Sequence, residues 1–468
     1  MSELFDGVLA AGPVAESVGD RAWVQAMLDV EAALARASAT VGVVPAAAAD
    51  EVEKHCRAEE YDVGAVGAAA VRIGNPVGPL VRALTARVDP EAAAYVHLGA
   101  TSQDVLDTAA MLVTARALAA LRADLVVCAE LLARSAEEHA DTVLAGRSLL
   151  QQAPPVTFGL TAAGWLGGVV AALRQLDRVR NGRLAVQFGG AVGTAAALGK
   201  CGIPVLAELA RRLRLGEPTL PWHTERSRIA EIAGTLGQTC GAVSKIARDI
   251  TLLAQTEVAE VAEHGPSGSG GSSTMPHKRN PVAAVLVAGA AAQAPGLVAT
   301  VLSSAAHEHQ RAAGSWHAEW RPLVELLRST GSAVHWLRVC LSRLHIDPAR
   351  MRANLAASGG VLMAERIVVE LVSSSGGAVG RQEAGDLVAA CCADAGLGEL
   401  GAVLAADPVI GEYLDHKRID ELLDPSGYLG SANEFRLRAL AEWQGVARWL
   451  RLRCMPTSTD RRRGRRWC

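Results

Sequence analysis

The 468-residue sequence is poor in aromatic side chains, at 4%, and it lacks a net charge of any size: 46 Lys and Arg against 49 Asp and Glu leave −3. A dedicated nucleic-acid binder normally shows a basic excess, so no nucleic-acid partner is expected. Long uninterrupted apolar runs are missing too. Every stretch of about 18 residues carries a break that a bilayer rejects, so no membrane span is expected. The opening MSELFDGVLAAGPVAESVGD has two early acids and no basic n-region, which does not read as a secretory signal. Nine cysteines are scattered without any C-x-x-C, and the adjacent pair Cys391-Cys392 suits neither zinc nor a disulfide framework. They read as core residues of a reduced, cytoplasmic protein. What is abundant is apolar: half of the residues are hydrophobic, which excludes disorder for most of the chain.

Ala and Leu dominate, and apolar side chains recur at three- and four-residue spacing over 107–140, from Pro155 to about Asn181, over 225–263, and over roughly 281–312 and 316–344. The 225–263 run is proline-free and as a helix would be about 58 Å long. Helices of this length imply a bundle packed along its whole extent. The stretch AVLVAGAAAQAPGLVATVL (284–302) is apolar nearly all round; a helix without a polar face is buried on all sides, which points to a homo-oligomer whose chains share one core. The expected divisions are an N-terminal helical domain at 1–106, the long-helix bundle at 107–344, and a small helical domain at 345–450. A basic tail, 451–468, ends in RRRGRRWC and reads as disordered.

The segment carrying most chemistry is 265–281, GPSGSGGSSTMPHKRNP. Its Gly/Ser half gives a mobile backbone, and its second half gathers Lys278, Arg279 and Asn280 beside hydroxyls, as a lid over an anionic site would.

GSSTMPHKRNP resembles the signature loop of the fumarase/aspartase superfamily. HLGATSQDVLDT (97–108) and GRSLLQQAPPVTFG (146–159) resemble that superfamily's first and second conserved regions, in order and at suitable separation. LPWHTERSRIAE (220–231) and EHQRAAGSWHAEW (308–320) are similar to the 3-carboxy-cis,cis-muconate cycloisomerase branch. The resemblance implies an all-α homotetramer with a twenty-helix central core, active sites shared between three subunits, a small polycarboxylate substrate, and no metal or organic cofactor.

The shared chemistry is removal of a proton next to a carboxylate with loss of a group from the neighbouring carbon, or the reverse addition. By the resemblance, Ser272 is the general base, and Lys278, Asn280 and Ser273 bind substrate. Thr101 and Ser102 offer hydroxyls and N–H groups at a helix start, a natural carboxylate site that is compatible with simple capping. Gln151 follows a position that contacts substrate in relatives, and Asn75 matches a substrate-proximal region, although Asn75 also suits a turn before Pro76. Arg226 and Arg228 are candidates for a second or third carboxylate, one of them being at least as well suited to pairing with Glu225 or Glu231.

The informative departure is at two positions. Many relatives place a histidine at 149, to serve the leaving group, and a glutamate at 285, to orient it; here stand Leu149 and Val285. A leaving group that is already a stable anion needs no proton in flight. A lactone opening to a carboxylate, whose conjugate acid has a pKa of about 4, meets that condition, and nitrite from nitrosuccinate does also. Fumarase, aspartase and argininosuccinate lyase activities do not, and adenylosuccinate lyase activity fits less well. His97, His223 or His317 could alternatively stand in as the donor. The expected function is therefore cycloisomerase-type addition or elimination, with a C–N lyase releasing fumarate as the alternative and a non-catalytic structural protein as the rival from another class.

Overall fold

A computed structural model describes residues 4–266, 269–271, 274–275, 277–395 and 399–454. Ser272 and Ser273 lie outside these described residues. In chain order the elements that matter here are α1 (Asp20–Thr40), α2 (Ser102–Glu138), β1 (Val143–Ser148), β2 (Gln151–Thr157), α3 (Phe158–Gly182) and α4 (Ser227–Leu253). They are followed by β3 (Val261–Glu263), α5 (Val282–Ala291), α6 (Ala294–Ser303), α7 (Ser315–Arg343), β4 (Leu344–Ile346) and α8 (Pro348–Ala356). The fold is all-α in class. Its named strands form two small antiparallel pairs, β1 with β2 and β3 with β4.

The chain divides into two units. One comprises Met1–Val127, Ala171–Ala247 and Ala283–Val339; the other comprises Cys128–Val170, Arg248–Val282 and Cys340–Cys468. In the first unit the long helices pack side by side. Arg122 pairs with Asp177 at 3.2 Å between α2 and α3, and Asp124 pairs with Arg338 at 3.0 Å between α2 and α7. Cys240 and Thr330 meet at 3.2 Å between α4 and α7. Every residue from Gln103 to Thr114 is buried, so the opening turns of α2 are enclosed on all faces. Each large aliphatic side chain sequestered there contributes about 1.5–3 kcal/mol. In the second unit an aliphatic cluster including Ile367, Leu371, Val388, Leu404 and Ile419 forms the core of the C-terminal helices.

Several element limits differ from the sequence expectation. Pro155 was the expected first turn of a helix, but it sits inside β2, and α3 begins at Phe158, where the Thr157 hydroxyl accepts the Leu160 N–H at 3.1 Å. The 225–263 helix stops at Leu253, and the chain then turns and enters β3. The 281–312 run is two helices with a break just before Pro295, ending at Ser303. By length and composition alone Val282–Ser303 is apolar enough to cross a bilayer, contrary to the reading of the sequence. A core helix passes the same criterion. Only 33% of its most apolar stretch is buried within the single chain, with Val285 and Leu302 about half exposed.

Candidate active site

In the first unit the site is built around the start of α2. Thr101 and Ser102 are half-buried, and Asp104, in the first turn, accepts the Thr101 N–H at 3.0 Å, the reciprocal half of a capping box. The same Asp104 oxygen accepts the Gly190 N–H at 2.8 Å, and the other lies 2.6 Å from His223 Nε2. Gly190 is in the left-handed region, and a β-carbon there would stand 3.0 Å from the Gly99 carbonyl oxygen, so only glycine lets the two segments approach without strain. Asp104 is 1% exposed, and both of its oxygens are engaged within the fold.

Arg226 is enclosed by its own chain. It is 3% exposed and lies between two carboxylates of its own chain. Its Nη1 and Nη2 donate to Asp107 at 2.8 and 3.1 Å, and Nη2 donates to Glu319 at 2.6 Å. Trp316 Nε1 and Gln103 Nε2 complete the shell of Asp107 at 3.0 and 3.1 Å. Burial opposes the arginine's charge, but the two carboxylates outweigh it and push its pKa up. Arg228 donates to the Arg183 carbonyl at 2.8 Å and lies over the Trp222 ring; burial and the neighbouring Arg183 push its pKa down. Asn75 serves as a cap: its Oδ1 accepts the N–H groups of Val77 and Gly78 at 3.1 and 3.3 Å.

Sequence reasoning missed Arg311. It donates to the Gly190 carbonyl at 2.6 Å and to the Gln310 carbonyl at 2.6 Å, so it reaches the carbonyl of the residue whose N–H Asp104 holds. Burial pushes its pKa down, partly opposed by Asp104 and Asp107. The signal was present in EHQRAAGSW, where an arginine stands among small residues without a carboxylate at helical spacing after it. His97 pairs with buried Glu31 at 2.6 Å; burial opposes its charge, yet Glu31 outweighs that and raises its pKa. His317 faces the Gly74 carbonyl at 3.0 Å.

In the second unit Gln151 opens β2, exposed and opposite Ser148 across a two-residue turn. That turn is Leu149-Leu150, both with positive φ and both exposed, Leu149 by 96%. Leucine in this conformation costs roughly 1–2 kcal/mol per residue. In the loop before α5, Asn280 donates its backbone N–H to the Gly270 carbonyl at 2.8 Å and its side-chain amide to the same oxygen at 3.2 Å, while Lys278 is exposed. Asn280 thus pins the loop's own fold. Among the described residues, no group of three or more His, Cys, Asp and Glu could hold a metal ion.

A lyase family model matches residues 9–296, and an adenylosuccinate lyase C-terminus model matches 360–439. The chain belongs to the fumarase/aspartase superfamily of lyases. It is 47% identical over 446 residues to 3-carboxy-cis,cis-muconate cycloisomerase of Pseudomonas aeruginosa, covering 94% of this chain and 96% of that protein. It is 43% identical over 445 residues to nitrosuccinate lyase of Streptomyces davaonensis, covering 92% and 93%. The crystal structure of 3-carboxy-cis,cis-muconate lactonizing enzyme from Pseudomonas putida matches with a TM-score of 0.89 at 42% identity, over 95% of this chain and 99% of that one. As a member of this superfamily the protein is an enzyme of lyase or cycloisomerase type, and its likeness to cycloisomerases agrees with the motif reading.

Proposed function

We propose that this protein carries out addition or elimination next to a carboxylate on 3-carboxy-cis,cis-muconate or its lactone, with Ser272 as the base. The observation that carries this reading is the apolar pair Leu149 and Val285, which removes the proton donor a poor leaving group needs. The intermediate puts extra negative charge on one substrate carboxylate, and fixed donors must stabilise it. Thr101 and Ser102 fill that role at a helix start that Asp104 holds in place. Lys278 and Asn280 take another carboxylate, and Ser273 and Gln151 contact the substrate. With Arg226 occupied, Arg311 becomes the candidate for a third carboxylate, because its described bonds go to carbonyl oxygens and none neutralises its charge. Arg228 and Asn75 remain flanking contacts.

The active copy is an oligomer, a homotetramer with sites drawn from three chains. The exposed apolar faces of Val282–Ser303 and the exposed leucine turn support this, since both need cover that one chain does not give. A cytoplasmic location fits cysteines such as Cys56, Cys240 and Cys340, which are buried and in no disulfide.

The test is to incubate the purified protein with 3-carboxy-cis,cis-muconate and follow loss of the diene absorbance. A parallel incubation with nitrosuccinate follows fumarate and nitrite. Turnover of the muconate alone supports the reading; turnover of nitrosuccinate alone replaces it with the C–N lyase alternative.

A further inference from the structure

Within the second unit one carboxylate is out of place for a structural surface residue. Glu260 is 0% exposed, yet it lies just after a turn and directly before β3. A buried carboxylate is costly unless it is paired and hydrogen-bonded. Here it is fully matched. Arg147 grips it with both prongs, Nη1 to Oε2 at 2.9 Å and Nη2 to Oε1 at 2.7 Å, and Asn354 Nδ2 donates to Oε1 at 2.9 Å. Two-pronged arginine–carboxylate pairing fixes orientation as well as distance.

The partners belong to two elements, β1 and α8. Arg147 is on β1, two residues before the leucine turn and across from Gln152, next to Gln151. Asn354 is on α8, where it also donates to the Val258 carbonyl at 2.7 Å. Arg350 on the same helix donates to the carbonyls of Val258 and Glu257 at 3.1 and 2.9 Å. Glu260 itself leads into β3, whose pairing with β4 closes as His264 donates its N–H to the Arg343 carbonyl at 2.8 Å. The signature segment starts at the next residue.

We infer that Glu260 is a positioning residue for the reaction: its carboxylate locks the Gln151 hairpin and the strand feeding the signature segment into one block. The inference rests on the proposed function for its kinetic meaning, but not for its physical content. Without the charged, forked pairing, the hairpin and the root of the segment can shift independently, and the groups they carry lose their common register.

The test uses Glu260→Gln, which keeps the shape and one acceptor but removes the charge. Arg147→Lys keeps the charge balance and removes the fork, so it serves if the first variant folds poorly. Hydrogen exchange read by mass spectrometry should show 143–157 and 254–266 exchanging faster together, while 103–114 is unchanged. With carboxymuconate as substrate, kcat should fall about tenfold while KM moves less than about threefold, because the pair touches no substrate. Protection unchanged in either segment, in a folded variant of both kinds, overturns the inference. Wild-type protein inert on carboxymuconate contradicts the proposed function instead, and the exchange result still decides the role of Glu260.

Discussion

The start of α2 and the signature segment 265–281 are both proposed to bind carboxylate, yet they are built in opposite ways. At the helix start the buried charged groups are paired inside the fold: Asp104 takes two N–H groups and His223, and Asp107 and Glu319 enclose Arg226. Everything from Gln103 to Thr114 is buried. In the segment, Lys278 is exposed and the bonds of Asn280 run back to Gly270 within the same loop. The difference separates two tasks. A charge stabiliser works best when it is preorganised, so that nothing reorganises as the intermediate forms. A base that must admit substrate first belongs on backbone with fewer obligations to the core.

This contrast predicts that damage to the helix start is paid in folding, whereas damage to the segment appears in turnover. The largest effect is expected from Arg226→Met, which leaves buried Asp107 with only the neutral donors Trp316 and Gln103 and buried Glu319 with only His307, at 3.1 Å. Urea unfolding should show a loss of about 3–5 kcal/mol. Lys278→Ala should lower kcat/KM about a hundredfold while the unfolding midpoint stays at the wild-type value. If the midpoint drops instead, the segment is part of the structural frame and the contrast fails. Arg311→Gln should raise KM about tenfold with little change in stability, since its described partners are only carbonyls. An unchanged KM would remove Arg311 from the substrate.

The smallest effect concerns His97 and Glu31. The raised histidine pKa means that folding favours the protonated imidazole. The pair's stabilisation is therefore full below the ordinary value of about 6.5 and fades as pH rises through the higher value of the folded state. Compared with the double variant Glu31→Gln/His97→Asn, the wild type should hold its greatest relative stability near pH 5–6 and lose it above neutrality, as read by thermal unfolding.

Much of this architecture was legible because long amphipathic and apolar runs leave a strong periodic signal. The expected helix over 107–140 is α2, Ser102–Glu138, and that over 316–344 is α7, Ser315–Arg343. The misses have local causes. Pro155 suits a first helical turn, but the hairpin uses it in β2, opposite Ala145 beside a bulge. The turn that makes the hairpin is Leu149-Leu150, with none of the Gly, Asn or Asp that announces positive φ. In the site, the helix-start residues were readable from HLGATSQD, but the fate of Arg226 was not. Asp107 and Glu319 are far apart in sequence, and only folding shows that both point at it. Two acids three residues apart before the apolar run that follows Thr108, Asp104 and Asp107, were the available hint that buried partners had to exist.

The most direct measurement is the turnover of Ser272→Ala on 3-carboxy-cis,cis-muconate, with oligomeric state checked by light scattering. If a loop hydroxyl removes or delivers the proton, turnover should fall by about 10²–10⁴-fold while the assembly stays native. Activity within a few-fold of the wild type in an intact assembly contradicts the account.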